Sequence, residues 1–172
     1  MGWDRGLDYK KVYRELLRRL KEHLGRRAYT SFCYAAILLI QLRNGSRISE
    51  ALEATRKFVE EGSRKVKVRV RKRGDGYERL MIMPEELKPQ DLRICLDVLN
   101  EDGAKVLNRI KVYAKKVLNI NTHSLRYAYI TYLLKQGVSP AIVAKITGHK
   151  KLDYILTYTQ VRTAEEALEK IR

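Results

Sequence analysis

Cysteine is scarce in this 172-residue chain: Cys33 and Cys95 stand alone, far from each other and from any histidine-rich stretch. That spacing excludes a CxxC redox pair, a cysteine–histidine metal cluster and a disulfide-dense secreted scaffold. Each lies in an apolar, helical pattern, so both are expected to be buried free thiols, consistent with a reducing compartment. Proline occurs three times, always where one element gives way to another, and no low-complexity tract argues for extended disorder. Long apolar runs are missing too. The most apolar stretch, Phe32 to Leu42, ends at Gln41 and Arg43, far short of the roughly 20 residues that cross a bilayer, and is expected as a core helix. The first residues, MGWDRGLDYKK, contain no signal-peptide apolar region.

Negative charge is also in deficit. Against 36 Lys+Arg there are 20 Asp+Glu, a formal net charge of +16 with a pI near 9.9. Such an excess points to a polyanionic partner, because each cation set beside a phosphate releases a condensed counterion. Nucleic acid fits best, and an anionic membrane surface less well. With 45% hydrophobic residues, the chain is long enough for one domain with a real core.

Periodicity places the elements. Tyr9 to Leu24 carries Val12, Leu16, Leu17, Leu20 and Leu24 on one helical stripe, with Lys and Arg opposite. A more buried helix runs from Tyr29 to Leu42 and ends at Gly45, and a third runs from Ser46 or Ile48 to Glu61. The period then changes. Val66, Val68 and Val70 alternate with Lys65, Lys67, Arg69 and Arg71, which predicts a strand with one apolar and one cationic face. After the turn signal GDG, Tyr77 to Met83 returns as the second strand of a basic β-hairpin. Helices are expected over Pro89 to Leu99, Gly103 or Ala104 to Leu118, Ser124 to Gln136, and Pro140 to Thr147, with Ser139 capping the last. A short segment from Leu152 to Tyr158 follows, and Thr163 to Arg172 closes the chain with Ala164, Ala167, Leu168 and Ile171 on one face. The fold class is therefore mainly α with a small β-hairpin.

Chemistry gathers in the last third. LLKQGVSPAIVAKITG alone reads as a helix-turn-helix, but such a DNA reader gives no reason for the residues around it. His123 and Arg126 lie three apart at a helix start and project from nearly one face. A helix N-terminus favours anions, and a guanidinium fork donates to two phosphate oxygens at once. Gly148-His149 follows, and Tyr158 lies nine residues after that histidine.

These residues together resemble the catalytic signature of the tyrosine recombinases, the phage-integrase and Xer group. The shared features are His-x-x-Arg, a Gly-His, and a tyrosine nine residues further on. RNGSRISEAL resembles that family's first arginine motif and sets Arg47 at a catalytic arginine and Glu50 at its supporting acid. Three positions depart from the usual pattern: Tyr127 after Arg126, Thr147 before Gly-His, and Gln160 after the tyrosine.

The resemblance implies a tyrosine-recombinase catalytic-domain architecture and a reaction needing neither cofactor nor metal. Tyr158 would attack a phosphodiester and form a 3′-phosphotyrosine. Arg47 and Arg126 would hold the phosphate oxygens, His123 would exchange the phenol proton, and His149 would donate to a phosphate oxygen. A hairpin lysine would protonate the leaving 5′-oxygen: Lys72 beside the turn is the first choice, with Lys67 and Lys65 as rivals. Lys65, Lys67, Arg69, Arg71 and Arg73 are the expected DNA-binding cations.

Residues 1–172 are expected to be one catalytic domain, the C-terminal part of a longer integrase whose N-terminal core-binding domain is absent here. The expected partners are a double-stranded DNA recombination site and further copies of the chain, dimer to tetramer, with no membrane partner. The expected setting is cytoplasmic and DNA-associated, encoded by an archaeal virus or plasmid. Two other readings stay open at this point: a non-catalytic helix-turn-helix module, and topoisomerase-IB-like relaxation of supercoils.

Overall fold

The computed structural model describes residues 6–156, 165 and 168–171. Helix α1 spans Tyr9–Gly25 and opens on Asp8, whose carboxylate accepts the Lys11 N–H at 2.9 Å. Helix α2, Tyr29–Asn44, is buried on every side from Phe32 to Leu42. It has no polar face to show to water, so it becomes the centre of the molecule. Each fully buried Ile or Leu on it is worth roughly 1.5–3 kcal/mol relative to exposure. Gly45 ends the helix in the left-handed region (φ 57°), as its place in the sequence predicts. Helix α3, Ile48–Glu61, packs on α2 and stops at Gly62.

Strands β1 (Lys65–Arg69) and β2 (Glu78–Ile82) form the expected antiparallel hairpin. Its inner face packs Val66, Val68 and Met81 into the core, while Lys65, Lys67 and Arg69 face solvent. A 3-10 turn over Arg71–Arg73 leads into the Gly74 reversal. Beyond the hairpin, Pro89–Cys95 is 3-10 rather than the expected α-helix, and only Leu96–Leu99 (α4) is α-helical. The inward residues there, Leu92 and Cys95, are three apart, which matches the 3-10 period. Helix α5, Gly103–Tyr113, continues into one π turn over Ala114–Leu118, where a plain α-helix was expected. Asn119, at φ 52°, closes that turn by donating to the Ala114 carbonyl.

The two cysteines correct an expectation. Both are buried, at 1% exposure, but they are joined in a disulfide with their Cα atoms 5.6 Å apart, and neither is a free thiol. α2 and the 3-10 segment meet across the core, a proximity that a separation of 62 residues in sequence does not reveal. The inference of a reducing compartment loses its support.

Helix α6 (Thr122–Lys135), α7 (Pro140–Thr147) and α8 (Asp153–Leu156) complete the described fold. The first half of α6 adds Leu125 and Ala128 to the main core, and its second half forms a smaller cluster of Ile130 with Val143, Ala144 and Ile155. Ser139 caps α7 by accepting the Ile142 N–H at 3.3 Å. No described helix is long and apolar enough to cross a membrane. Of the expected closing helix, Ala164 and Ala167 lie outside the described residues, and Leu168 and Ile171 are exposed.

Candidate active site

The loop after α2 is the hub. Buried Gln41 donates to the carbonyls of Ser46 (3.1 Å) and Thr122 (3.0 Å), so one amide fixes both the approach to Arg47 and the start of α6. Asn44 holds the hairpin: its Nδ2 donates to the Ile82 carbonyl, and its Oδ1 accepts the Ile82 N–H at 2.8 Å. Gly45 must be glycine twice over. It has a positive φ, and a Cβ there would stand 2.2 Å from Cδ1 of Tyr129. Its carbonyl accepts from Nη1 of Arg126 at 3.0 Å.

Arg47 sits at the N-cap of α3, partly exposed, and Nη1 donates to Glu50 Oε2 at 3.0 Å. Glu50 is itself 3% exposed, and its other oxygen accepts the Arg47 N–H at 3.4 Å. Arg126, one turn into α6, is 1% exposed, and its Nη2 lies 3.2 and 3.1 Å from the two ring nitrogens of His149. A guanidinium can only donate, so the ring must keep a lone pair and His149 is neutral. Burial first, then the Arg126, Arg47 and Arg79 charges, push its pKa down to about 3. Thr147 contributes as well: its hydroxyl donates to the Val143 carbonyl at 2.9 Å and lies 2.6 Å from Nδ1 of His149.

Gly148 carries the chain from α7 to His149 with φ 78°, and a Cβ there would lie 2.8 Å from Cγ2 of Val70. The Gly148-His149 turn is thus packed against the end of β1, two residues before Lys72. Tyr77 fastens the same join by donating to the Lys145 carbonyl at 3.3 Å.

These pieces enclose one cleft of about 480 Å³, whose walls include Arg47, Lys72, His123, Arg126 and His149. Arg73, Lys150 and Lys151 add to its positive field, while Tyr127 and Tyr154 give it an aromatic side. None of the described lining residues is acidic. His123 stands at the mouth with its ring edge-on to Tyr127 at 4.8 Å. Partial desolvation, then the Arg126, Arg47 and Lys72 charges, hold its pKa below the usual imidazole value. Of the three lysines considered for the hairpin role, Lys72 lines the cleft, and Lys65 and Lys67 lie on the outer face of β1. Arg69 and Arg71 line a neighbouring groove with Lys72, and Arg73 pairs with Asp75 at 3.0 Å beneath its own stack on Tyr77. Tyr158 and Gln160 lie outside the described residues.

Reading the sequence alone missed Arg79. It is 1% exposed on β2, and its Nη2 donates to the Asn44 carbonyl. The signal was present in the register. With Val66 and Val68 inward, Arg79 falls opposite Val68 and Met81 opposite Val66, so the arginine must point inward and Leu80 outward.

Comparisons with known proteins place the chain in a family. The model of the phage integrase family matches residues 98–165. A candidate integrase, ORF241, of Acidianus two-tailed virus is 43% identical over 98% of this chain and 68% of its own length. The tyrosine recombinase XerA of Pyrococcus horikoshii is 39% identical over a shorter stretch, 37% of this chain and 23% of that protein. Among solved structures, a XerA recombinase superposes with a TM-score of 0.56 at 20% identity, covering 92% of this chain. The chain spans 62% of the length of that XerA chain. The chain belongs to the phage integrase family, the tyrosine site-specific recombinases.

Proposed function

We propose that residues 1–172 form the catalytic domain of a DNA integrase that cleaves and rejoins strands through a 3′-phosphotyrosine on Tyr158, without metal or ATP. One observation carries this reading: Arg47, Arg126 and His149 line a single cleft with His123 and Lys72. A phosphodiester seated there meets two guanidinium groups and the neutral His149 ring. Fixed charge of this kind stabilises the extra negative charge of the pentavalent transition state without reorganising water.

The proton balance follows from the same groups. A phenol with pKa near 10 is about 0.1% ionised at neutral pH, so the attack needs a base. His123, whose pKa is lowered, is neutral at pH 7 and accepts the phenol proton as the Tyr158 oxygen bonds to phosphorus. The bond from phosphorus to the 5′-oxygen breaks in line, and Lys72 supplies the proton that leaves a 5′-hydroxyl. The phosphotyrosine keeps the energy of the phosphodiester, so a 5′-hydroxyl from another strand reseals it. The substrate is a double-stranded recombination site, engaged by two to four copies of the chain at a DNA-associated, virus- or plasmid-borne locus. Hairpin cations Lys65, Lys67, Arg69, Arg71 and Arg73 track the flanking phosphates.

The test is adduct formation on a nicked suicide duplex in EDTA, read as a protein–DNA band resistant to SDS. Wild type is expected to form it, and Arg126→Lys to form it at least about 100-fold more slowly, since a point charge cannot replace the bidentate fork. Near-normal cleavage by Arg126→Lys, or an absolute need for a divalent cation, would overturn the proposal.

A further inference from the structure

Arg79 is a positive charge held almost wholly out of water, inside a hairpin whose other inward residues, Val66, Val68 and Met81, are apolar. It is incompletely satisfied there. Nη2 donates to the Asn44 carbonyl, Nη1 reaches the Thr147 carbonyl at 3.5 Å and Glu50 Oε1 at 3.7 Å, and Nε has no acceptor among the described residues. Burying a charge costs stability, and an apolar side chain of the same length often serves a fold as well or better. Packing alone therefore gives no reason for an arginine at this position.

Its two carbonyl acceptors and its ion-pair partner Glu50 supply the reason. Asn44 precedes Gly45, whose carbonyl takes Nη1 of Arg126. Glu50 is the carboxylate that holds Arg47. Thr147 precedes Gly148-His149, and its hydroxyl touches the His149 ring. One planar guanidinium thus reaches the supports of all three proposed phosphate ligands, which come from α3, α6 and the turn after α7. We infer that Arg79 is a positioning residue for strand cleavage, clamping Arg47, Arg126 and His149 in register and adding a fixed positive charge behind the phosphate. The inference rests on the recombinase reading of this cleft. The lowered pKa of His149, to which the Arg79 charge contributes after Arg126 and Arg47, agrees with it.

The experiment compares wild type, Arg79→Met and Arg79→Lys on the suicide duplex. It measures DNA affinity, adduct rate at saturating DNA, and the His149 pKa by NMR of 15N-histidine-labelled protein. Arg79→Met is expected to bind DNA within about twofold of wild type while its saturated rate falls at least about thirtyfold. Its His149 pKa should rise by about half a unit or more, since a nearby positive charge has gone. Arg79→Lys keeps the charge but not the fork, so its His149 pKa should stay close to wild type while its rate falls about tenfold. If Arg79→Met does not fold, Arg79→Lys decides the matter by its rate at unchanged affinity. A wild-type saturated rate in either folded variant would overturn the inference. Absence of any wild-type adduct would count against the recombinase reading instead, and the His149 titration, which needs no turnover, would still decide Arg79.

Discussion

His149 shows how far a single residue's environment can be carried. Desolvation and the surrounding guanidiniums depress its pKa from 6.5 to about 3. The unfolded chain binds a proton as pH falls through 6.5, and the folded chain does not until about 3, so acid favours unfolding in that window. Thermal stability is expected to drop as pH falls from 7 to 5, with His23 and His123, also lowered, acting in the same direction. His149→Gln should flatten that slope in a melting series; an unchanged slope would show that the ring is not held neutral. At this scale Arg47, His123, Arg126 and His149 were legible through their joint resemblance to a family signature, since His123 and Arg126 three apart or a lone Gly-His also fit an ordinary helix start and loop. Arg79 was not. A lone arginine beside Leu80 looks like a solvent residue until the strand register is fixed, and the register comes from pairing rather than from either strand alone.

The elements matter here mainly through their joins. Gly148 meets Val70 where α7's end abuts the hairpin, and this contact sets Lys72 against His149 across the cleft. Gly148→Ala adds a methyl at φ 78° and drives it to 2.8 Å from Cγ2 of Val70. It is expected to cost roughly 1–3 kcal/mol in urea denaturation. Val70→Ala in the same chain should recover the steric part, leaving a non-additive cycle; strict additivity would mean the two elements do not touch. Most helices and both strands could be read from periodicity, and the α7 bounds coincide with the expected Pro140 to Thr147. The 3-10 segment Pro89–Cys95 and the π turn Ala114–Leu118 could not, since i+3 and i+4 apolar spacings overlap over so few residues.

In the whole molecule, the Cys33–Cys95 disulfide encloses the segment that carries Arg47, Glu50, Lys72 and Arg79. Closing a loop of 62 residues stabilises the folded chain by about 4 kcal/mol in the chain-entropy estimate. Cys33→Ala/Cys95→Ala is expected to lose most of that in urea denaturation without reductant, and to match reduced wild type; equal stability of oxidised and reduced protein would contradict the bridge. Net charge and motif spacing made the partner class and family legible at this scale, whereas the disulfide depends on packing that no linear spacing encodes.

The central claim is that this cleft serves a tyrosine nucleophile at position 158, and peptide mapping of the DNA adduct by mass spectrometry tests it most directly. Tyr154 lines the same cleft, 60% exposed, with its ring 6.2 Å from that of His149, so the map has a real competitor. The nucleotide remnant should sit on Tyr158, and Tyr158→Phe should abolish the adduct while DNA binding persists. A remnant on Tyr154, or an adduct that survives Tyr158→Phe, would contradict it.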